Sequence, residues 1–239
     1  MKVISVNDPI LLRVALRVLR RGGVVAFPTE TSYGLGGDWT NPKVHAKVRR
    51  IKQRPQGKPL SVIVASRSMA ERYAMFSPVA RRLARQYWPG PLSLVLPLKH
   101  TPLHVPPLLG GPTRKSPPHK KGEGQGGGIG GTLSLRISSH PIALKLARSL
   151  GKPLIATSAN ISGTQSLYSA SAIVRAFSGK KFKPDLVIDG GTLPQRKSST
   201  VARFIGDEVE VLRKGIIGLK MPKFKVQISK KAQNSNIKF

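Results

Sequence analysis

The sequence predicts an α/β domain built on a mixed sheet. Short apolar runs alternate with stretches of helical periodicity, two Asp-Pro or Asn-Pro pairs mark helix starts, and two adjacent runs around residue 206 read as a hairpin. Val3 to Val6 is the first strand. Asp8-Pro9 supplies an N-cap and a first-turn proline, and Ile10, Leu11, Val14 and Val18 follow on one face until Gly22-Gly23. Val24 to Phe27 is a buried strand. Asn41-Pro42 repeats the start signal for a helix whose apolar face is Val44, Val48 and Ile51. Leu60 to Ala65 is a strand, helices follow over 69–75 and 78–87, and Trp88-Pro89-Gly90-Pro91 turns the chain into a strand over 92–96. Residues 132–137 form a strand, 141–150 a helix ended by Gly151, 153–157 a strand, 169–177 a helix and 185–188 a strand. Residues 201–205 and 208–212 close the pattern as a hairpin, which makes the sheet mixed.

Two segments leave this pattern. Residues 101–131 are rich in proline and glycine and carry Arg114, Lys115, Lys120 and Lys121, so they read as a flexible basic insertion in a domain spanning 1–220. Residues 221–239 form a lysine-rich, acid-free tail, expected to be flexible.

The 239 residues carry 41 Lys+Arg against 10 Asp+Glu, a formal net charge of +31, on a chain that is 39% hydrophobic. That share suffices for a core, so the charge decorates a folded protein and directs it towards anions. Without cysteine there is no disulfide scaffold, thiolate zinc site, iron–sulfur cluster or cysteine nucleophile. No apolar run reaches the ~18 residues of a membrane span, and no signal-peptide run precedes the first strand, so a soluble cytoplasmic protein is expected. The five histidines have no metal-ligand spacing, there is no P-loop or GxSxG motif, and no GxGxxG follows a strand, the glycines of 124–131 being low complexity without a strand–loop–helix frame.

Three polar stretches stand where a fold alone does not ask for them. Pro28-Thr29-Glu30-Thr31-Ser32-Tyr33-Gly34-Leu35-Gly36 follows a buried strand, and its hydroxyls and glycines allow side chains and backbone N–H groups to reach a ligand. It reads equally as a glycine-rich connection from strand to helix. Lys52-Gln53-Arg54-Pro55 ends the helix that Asn41 opens. Two cations there suit the helix dipole, and if the helix stops they can both point into one pocket and meet a polyphosphate. In Thr157-Ser158-Ala159-Asn160-Ile161-Ser162-Gly163, turn chemistry accounts for Asn160 and Gly163 but not for Thr157 and Ser158, which sit where an apolar strand runs out.

Taken in order, these segments resemble the YrdC/TsaC family of threonylcarbamoyl-adenylate synthases. The likeness continues through Lys58-Pro59-Leu60, Trp88-Pro89-Gly90-Pro91, Thr132 to Arg136, Ser199-Thr200-Val201 and Leu212-Arg213 with Gly215, over roughly residues 8 to 218. The family's KxR…SxN signature stands as Lys52, Arg54, Ser158 and Asn160. The resemblance implies a single YrdC-like domain, a twisted mixed sheet with helices around a positively charged cavity. It implies a nucleotidyltransferase that joins L-threonine, bicarbonate and ATP into threonylcarbamoyl-AMP and pyrophosphate, the first step of threonylcarbamoyladenosine modification of tRNA. Arg54, Lys58, Thr132, Ser158, Ser166 and Arg213 would contact ATP. Thr31, Arg136, Ala156 and Ser199 would hold threonine, and Lys52 would neutralise the phosphates. Mg2+ would arrive on the triphosphate. tRNA or double-stranded RNA, and downstream tRNA threonylcarbamoyl-transferase proteins, would be partners.

The chain departs from the family pattern at Ser138 and Lys214, where proline is expected, and in the length of 101–131. Competing readings are a carbamoyl-adenylate-forming relative of hydrogenase maturation and a non-catalytic RNA-binding protein of the same fold. Zinc-finger cysteines characterise the first and are missing here. The second has no use for Thr31, Ser158 and Asn160 at strand ends.

Overall fold

Twelve strands and six helices form among the residues that the computed structural model describes, 1–55, 60–99, 131–205, 208–219 and 226–229. In chain order they are β1 (Lys2–Ser5), α1 (Leu11–Arg20), β2 (Val25–Pro28), β3 (Tyr33–Gly36), α2 (Pro42–Lys52) and β4 (Val62–Ile63). Next come α3 (Arg67–Tyr73), α4 (Pro78–Tyr87), β5 (Leu92–Pro97), β6 (Thr132–Arg136), α5 (Pro141–Leu150) and β7 (Leu154–Ile155). Last are β8 (Thr157–Ser158), α6 (Ala170–Phe177), β9 (Leu186–Asp189), β10 (Thr200–Ile205), β11 (Glu208–Arg213) and β12 (Val226–Ile228).

The strands divide into two sheets, ordered β1-β9-β2-β3-β8 and β12-β11-β10-β5-β6-β4-β7. Each is mixed. In the first, β9 runs parallel to β1 and β2, while β3 is antiparallel to β2 and β8. In the second, β10 is parallel to β5 and antiparallel to β11, the expected hairpin. The chain passes from one sheet to the other between β7 and β8, and Ala156 is the residue at that crossing.

Helix starts follow their caps. Asn41 Oδ1 accepts from Lys43 N at 3.0 Å, Ser66 Oγ from Met69 N and Ser77 Oγ from Ala80 N. At α1 the start shifts. Asp8 Oδ1 accepts from Ile10 N at 2.9 Å, so Asp8-Pro9 makes a turn and the helix opens at Leu11.

The largest departure from the sequence reading is at 33–36, a strand rather than a link to a helix. Glycine makes that strand possible: a Cβ at Gly36 would stand 1.5 Å from the Ile155 carbonyl oxygen, so β3 could not lie against β7 with any other residue. Val226–Ile228, beyond the boundary placed at residue 220, pairs with β11 as an edge strand. The insertion 101–131 lies outside the described residues except for Gly131, whose carbonyl accepts from Leu98 N at 2.9 Å.

Apolar side chains gather on both faces of the second sheet. Val62 belongs to a core with Leu94, Leu135, Leu83 and Trp39, and its neighbour Ile63 to another with Leu19, Phe27, Leu146 and Leu186. Successive residues of β4 therefore serve opposite cores, as the two-residue period of a strand requires.

Candidate functional site

Where the two sheets meet, polar side chains surround a cavity of about 200 Å³. The turn between β2 and β3 forms one wall. Thr29 Oγ1 donates to Ser32 O at 2.6 Å and lies 3.2 Å from Thr31 Oγ1, which holds buried Thr31 in place. Across the cavity, β5 and β6 alternate strictly. Leu133 and Leu135 point into the core, while Ser134 and Arg136 share the other face with Thr132. The register of Leu94 with Leu135 continues to bring Ser93 opposite Arg136. Ser93 Oγ is 3.4 Å from Ser199 Oγ, and Arg213 donates to the Ser199 carbonyl at 3.0 Å and to its hydroxyl at 2.9 Å.

Of the residues singled out in the sequence, Thr31, Arg54, Arg136, Ala156, Ser158, Ser166, Ser199 and Arg213 line this cavity. Thr132 does not. It is exposed at the far end of β6, ~13 Å along the strand from Arg136 at the usual rise, though on the same face. Lys58 lies outside the described residues.

The α2 helix ends at Gln53, whose left-handed backbone (φ 48°, ψ 42°) sends Lys52 and Arg54 different ways. Arg54 reaches the cavity. Lys52 is 1% exposed and its Nζ donates to Ser158 O at 2.5 Å, to Asn160 O at 2.8 Å and to Asn160 Oδ1 at 3.1 Å. Its ammonium thus holds the loop that carries Ser158, whose Oγ, a hydroxyl of the cavity lining, lies 3.4 Å from Nζ. Asn160, also buried and outside the cavity lining, donates from Nδ2 to Thr164 O at 2.5 Å. The KxR…SxN signature thus splits into two jobs. Arg54 and Ser158 face the cavity, while Lys52 and Asn160 fix the loop that carries Ser158.

The electrostatics follow from three guanidiniums in one small space. Arg136 is held below its ordinary range by burial, partly offset by Glu30, whose Oε1 accepts from Nη1 at 2.5 Å. Arg213, at the exposed mouth, is lowered by desolvation against the wall and then by repulsion from Arg136 and Arg54. Arg54 is lowered by burial and then by Arg49. Among the described residues no carboxylate lines the cavity; Glu30, the counter-ion of Arg136, is outside the lining. Such a site suits a ligand with separated negative charges.

The sequence reading missed Ser61, Ser93 and Ser198, all in the lining, while Thr29, also in the lining, stands in its first polar stretch. Ser93 carried a signal: it interrupts the apolar run Leu92 to Leu96 and is 2% exposed. Tyr33 was noted only as part of a motif. Its hydroxyl donates to Gly191 O at 2.8 Å and accepts from Gly190 N at 2.9 Å, which ties the loop after β9 to the site, and burial raises its pKa. Among the described residues no cluster of His, Asp and Glu could hold a metal ion.

Comparison with known proteins gives the family and the fold. A domain family described as telomere recombination (Sua5/YciO/YrdC) matches residues 17–215. The threonylcarbamoyl-AMP synthase of Pyrococcus abyssi is 37% identical over 191 residues, 80% of this chain and 49% of the relative. That of Bacillus subtilis is 35% identical over 213 residues, 89% of this chain and 55% of the relative. The chain therefore spans about half the length of these two relatives. The synthase of Thiobacillus denitrificans is matched over 85% of its own length at 35% identity. In three dimensions the chain is similar to P. abyssi Sua5 complexed with L-threonine, with a TM-score of 0.77 and 32% identity, covering 95% of this chain and 63% of that one. Escherichia coli YciO is similar at a TM-score of 0.72 and 27% identity, covering 92% and 97%.

Proposed function

From the premise that this chain belongs to the Sua5/YciO/YrdC family, we propose that it is a threonylcarbamoyl-AMP synthase, a nucleotidyltransferase acting on L-threonine, bicarbonate and ATP. The observation that carries the reading is the cavity itself: three arginines and a wall of hydroxyls, with no carboxylate among the described residues of the lining. At about 200 Å³ it is smaller than the ~300–1,000 Å³ of pockets for drug-sized ligands, so it suits an amino acid, with the nucleotide extending over the mouth.

The reaction demands such a site. The threonine amine and bicarbonate give a carbamate with loss of water, and a carbamate oxygen then attacks the α-phosphorus of ATP while pyrophosphate leaves. Two anions must meet, and negative charge moves onto the leaving group. Arg136 is the residue for the threonine carboxylate, beside Thr31, Ala156 and Ser199. Arg54 and Arg213, with Ser158 and Ser166, are placed to take phosphate oxygens at the mouth. Guanidiniums kept below their ordinary range chiefly by burial gain most when an anion enters between them. Catalysis is then positioning and charge stabilisation. Lys58 and Thr132 remain proposed ATP contacts. Mg2+ comes with ATP as part of the substrate, since the described residues of the lining offer no carboxylate to hold it.

Transfer of the threonylcarbamoyl group to tRNA by partner proteins, in the cytoplasm, belongs to the same reading. No helix among the described residues is long and apolar enough to cross a membrane. The test is mass spectrometry of the purified protein with Mg-ATP: an adenylate that forms only when threonine and bicarbonate are both present supports the reading. Folded protein that forms none refutes it.

A further inference from the structure

We propose that Ser138 is a positioning residue that keeps one edge of the Arg136 guanidinium open for the carboxylate of the amino-acid substrate. This rests on the reading of the cavity given above and adds a residue outside the cavity lining. Glu30 and Arg136 form an ion pair whose side chains are each 8% exposed. In so dry a place a carboxylate favours the two-point fork, with both oxygens on parallel N–H groups of one guanidinium. Here only Oε1 accepts from Arg136, at 2.5 Å. The other oxygen, Oε2, accepts from the Ser138 hydroxyl.

Ser138 is itself held. It is fully buried, and its Oγ accepts from His140 N at 3.2 Å, at the head of α5. With one lone pair filled by that N–H, the single hydroxyl proton is directed to Glu30. Among the described residues Glu30 is the hydrogen-bond partner of Arg136, and the rest of the guanidinium is available to the cavity it lines. Glu30 thus orients the arginine without covering it. Ser138 stands where the family resemblance expects proline, which has no hydroxyl to donate.

Without the hydroxyl, Oε2 lacks a donor, and the remaining N–H groups of Arg136 are at hand. Glu30 then swings into the fork, and an incoming carboxylate must displace it. The effect falls on amino-acid binding and leaves ATP binding and the chemical step alone.

The test uses the full-length chain, with calorimetric titration of L-threonine and steady-state kinetics on the same preparations. Ser138→Ala is expected to raise the Kd and KM for threonine roughly tenfold, the size of one hydrogen bond to a charged group, with kcat and the KM for ATP within about twofold of wild type. Ser138→Thr, which keeps the hydroxyl, restores threonine affinity. If the alanine variant does not fold, Ser138→Cys, with a weaker donor of similar size, shifts the threonine KM the same way. Unchanged threonine affinity in a folded variant overturns the proposal, and so does an equal loss in threonine, ATP and kcat, which marks a packing role. Wild-type protein that binds no threonine overturns the reading of the cavity and this inference with it.

Discussion

Replacing Lys52 by methionine removes a buried ammonium while keeping its apolar stem. The wild-type Nζ faces Ser158 O, Asn160 O and Asn160 Oδ1 at 2.5, 2.8 and 3.1 Å, and methionine donates to none of them. Each buried acceptor left without a donor costs about 1–3 kcal/mol. Against this, burial first and Arg54 second lower the Lys52 pKa from 10.5 to about 8. Relieving that strain on the charged form returns about 3 kcal/mol. The two effects oppose, and for three acceptors a net loss of roughly 0–6 kcal/mol is expected near pH 7.

The pH dependence separates them. The unfolded chain keeps the Lys52 proton up to pH 10.5, while the folded protein releases it near pH 8. Between those values the unfolded state binds more protons, so the wild type gains stability as pH rises, by up to about 3 kcal/mol, and loses it as pH falls through 8. Methionine has no proton to release. Urea unfolding of both proteins in the same salt, from about pH 7 to about pH 10, should show the gap widening in favour of wild type. A gap that stays constant refutes the buried, depressed ammonium.

Arg54→Ala should leave folding intact and lower kcat by ~10²–10³, as loss of a charge-stabilising contact does; unchanged turnover in a steady-state assay would return Arg54 to surface charge. Arg136→Ala should raise the threonine KM far more than the ATP KM, measured by varying each substrate separately. Gly36→Ala places a methyl 1.5 Å from the Ile155 carbonyl oxygen, so the strands must part; a drop of several degrees in Tm, or insoluble protein, is the expected outcome. Deleting 102–129, whose flanks meet through Leu98 and Gly131, together with residues beyond 229 should spare adenylate synthesis and reduce the salt slope of tRNA binding by ~0.7–0.9 per lost phosphate contact. Synthesis assayed beside a salt titration checks both halves.

The cavity residues were legible because their chemistry conflicts with their place in the sequence. Thr31, Ser158 and Ser199 are hydroxyls at the ends of apolar strands, and Arg54 follows a helix end that leaves a cation free to turn inward. Lys52 was legible as a candidate but not in its contacts. Its periodicity could not show that a left-handed Gln53 would separate it from Arg54, or that its ammonium would meet carbonyls contributed more than a hundred residues later. Ser93 and Ser61 went unread because a single serine in an apolar run is also common in cores.

Local chemistry in the sequence determined most elements: Asn41, Ser66 and Ser77 cap the helices they precede, and the two-residue alternation of β6 places Ser134 and Arg136 on one face. The sequence also determined the charge and the lack of thiol chemistry. Only the tertiary structure decided that the strands would form two sheets and that the chain would cross between them at Ala156. It alone decided that 33–36 would be a strand and that Glu30 would pair with Arg136. These depend on approach between distant segments. Such contacts follow from which backbone fits against which, as Gly36 against Ile155 shows, and no local period records that fit.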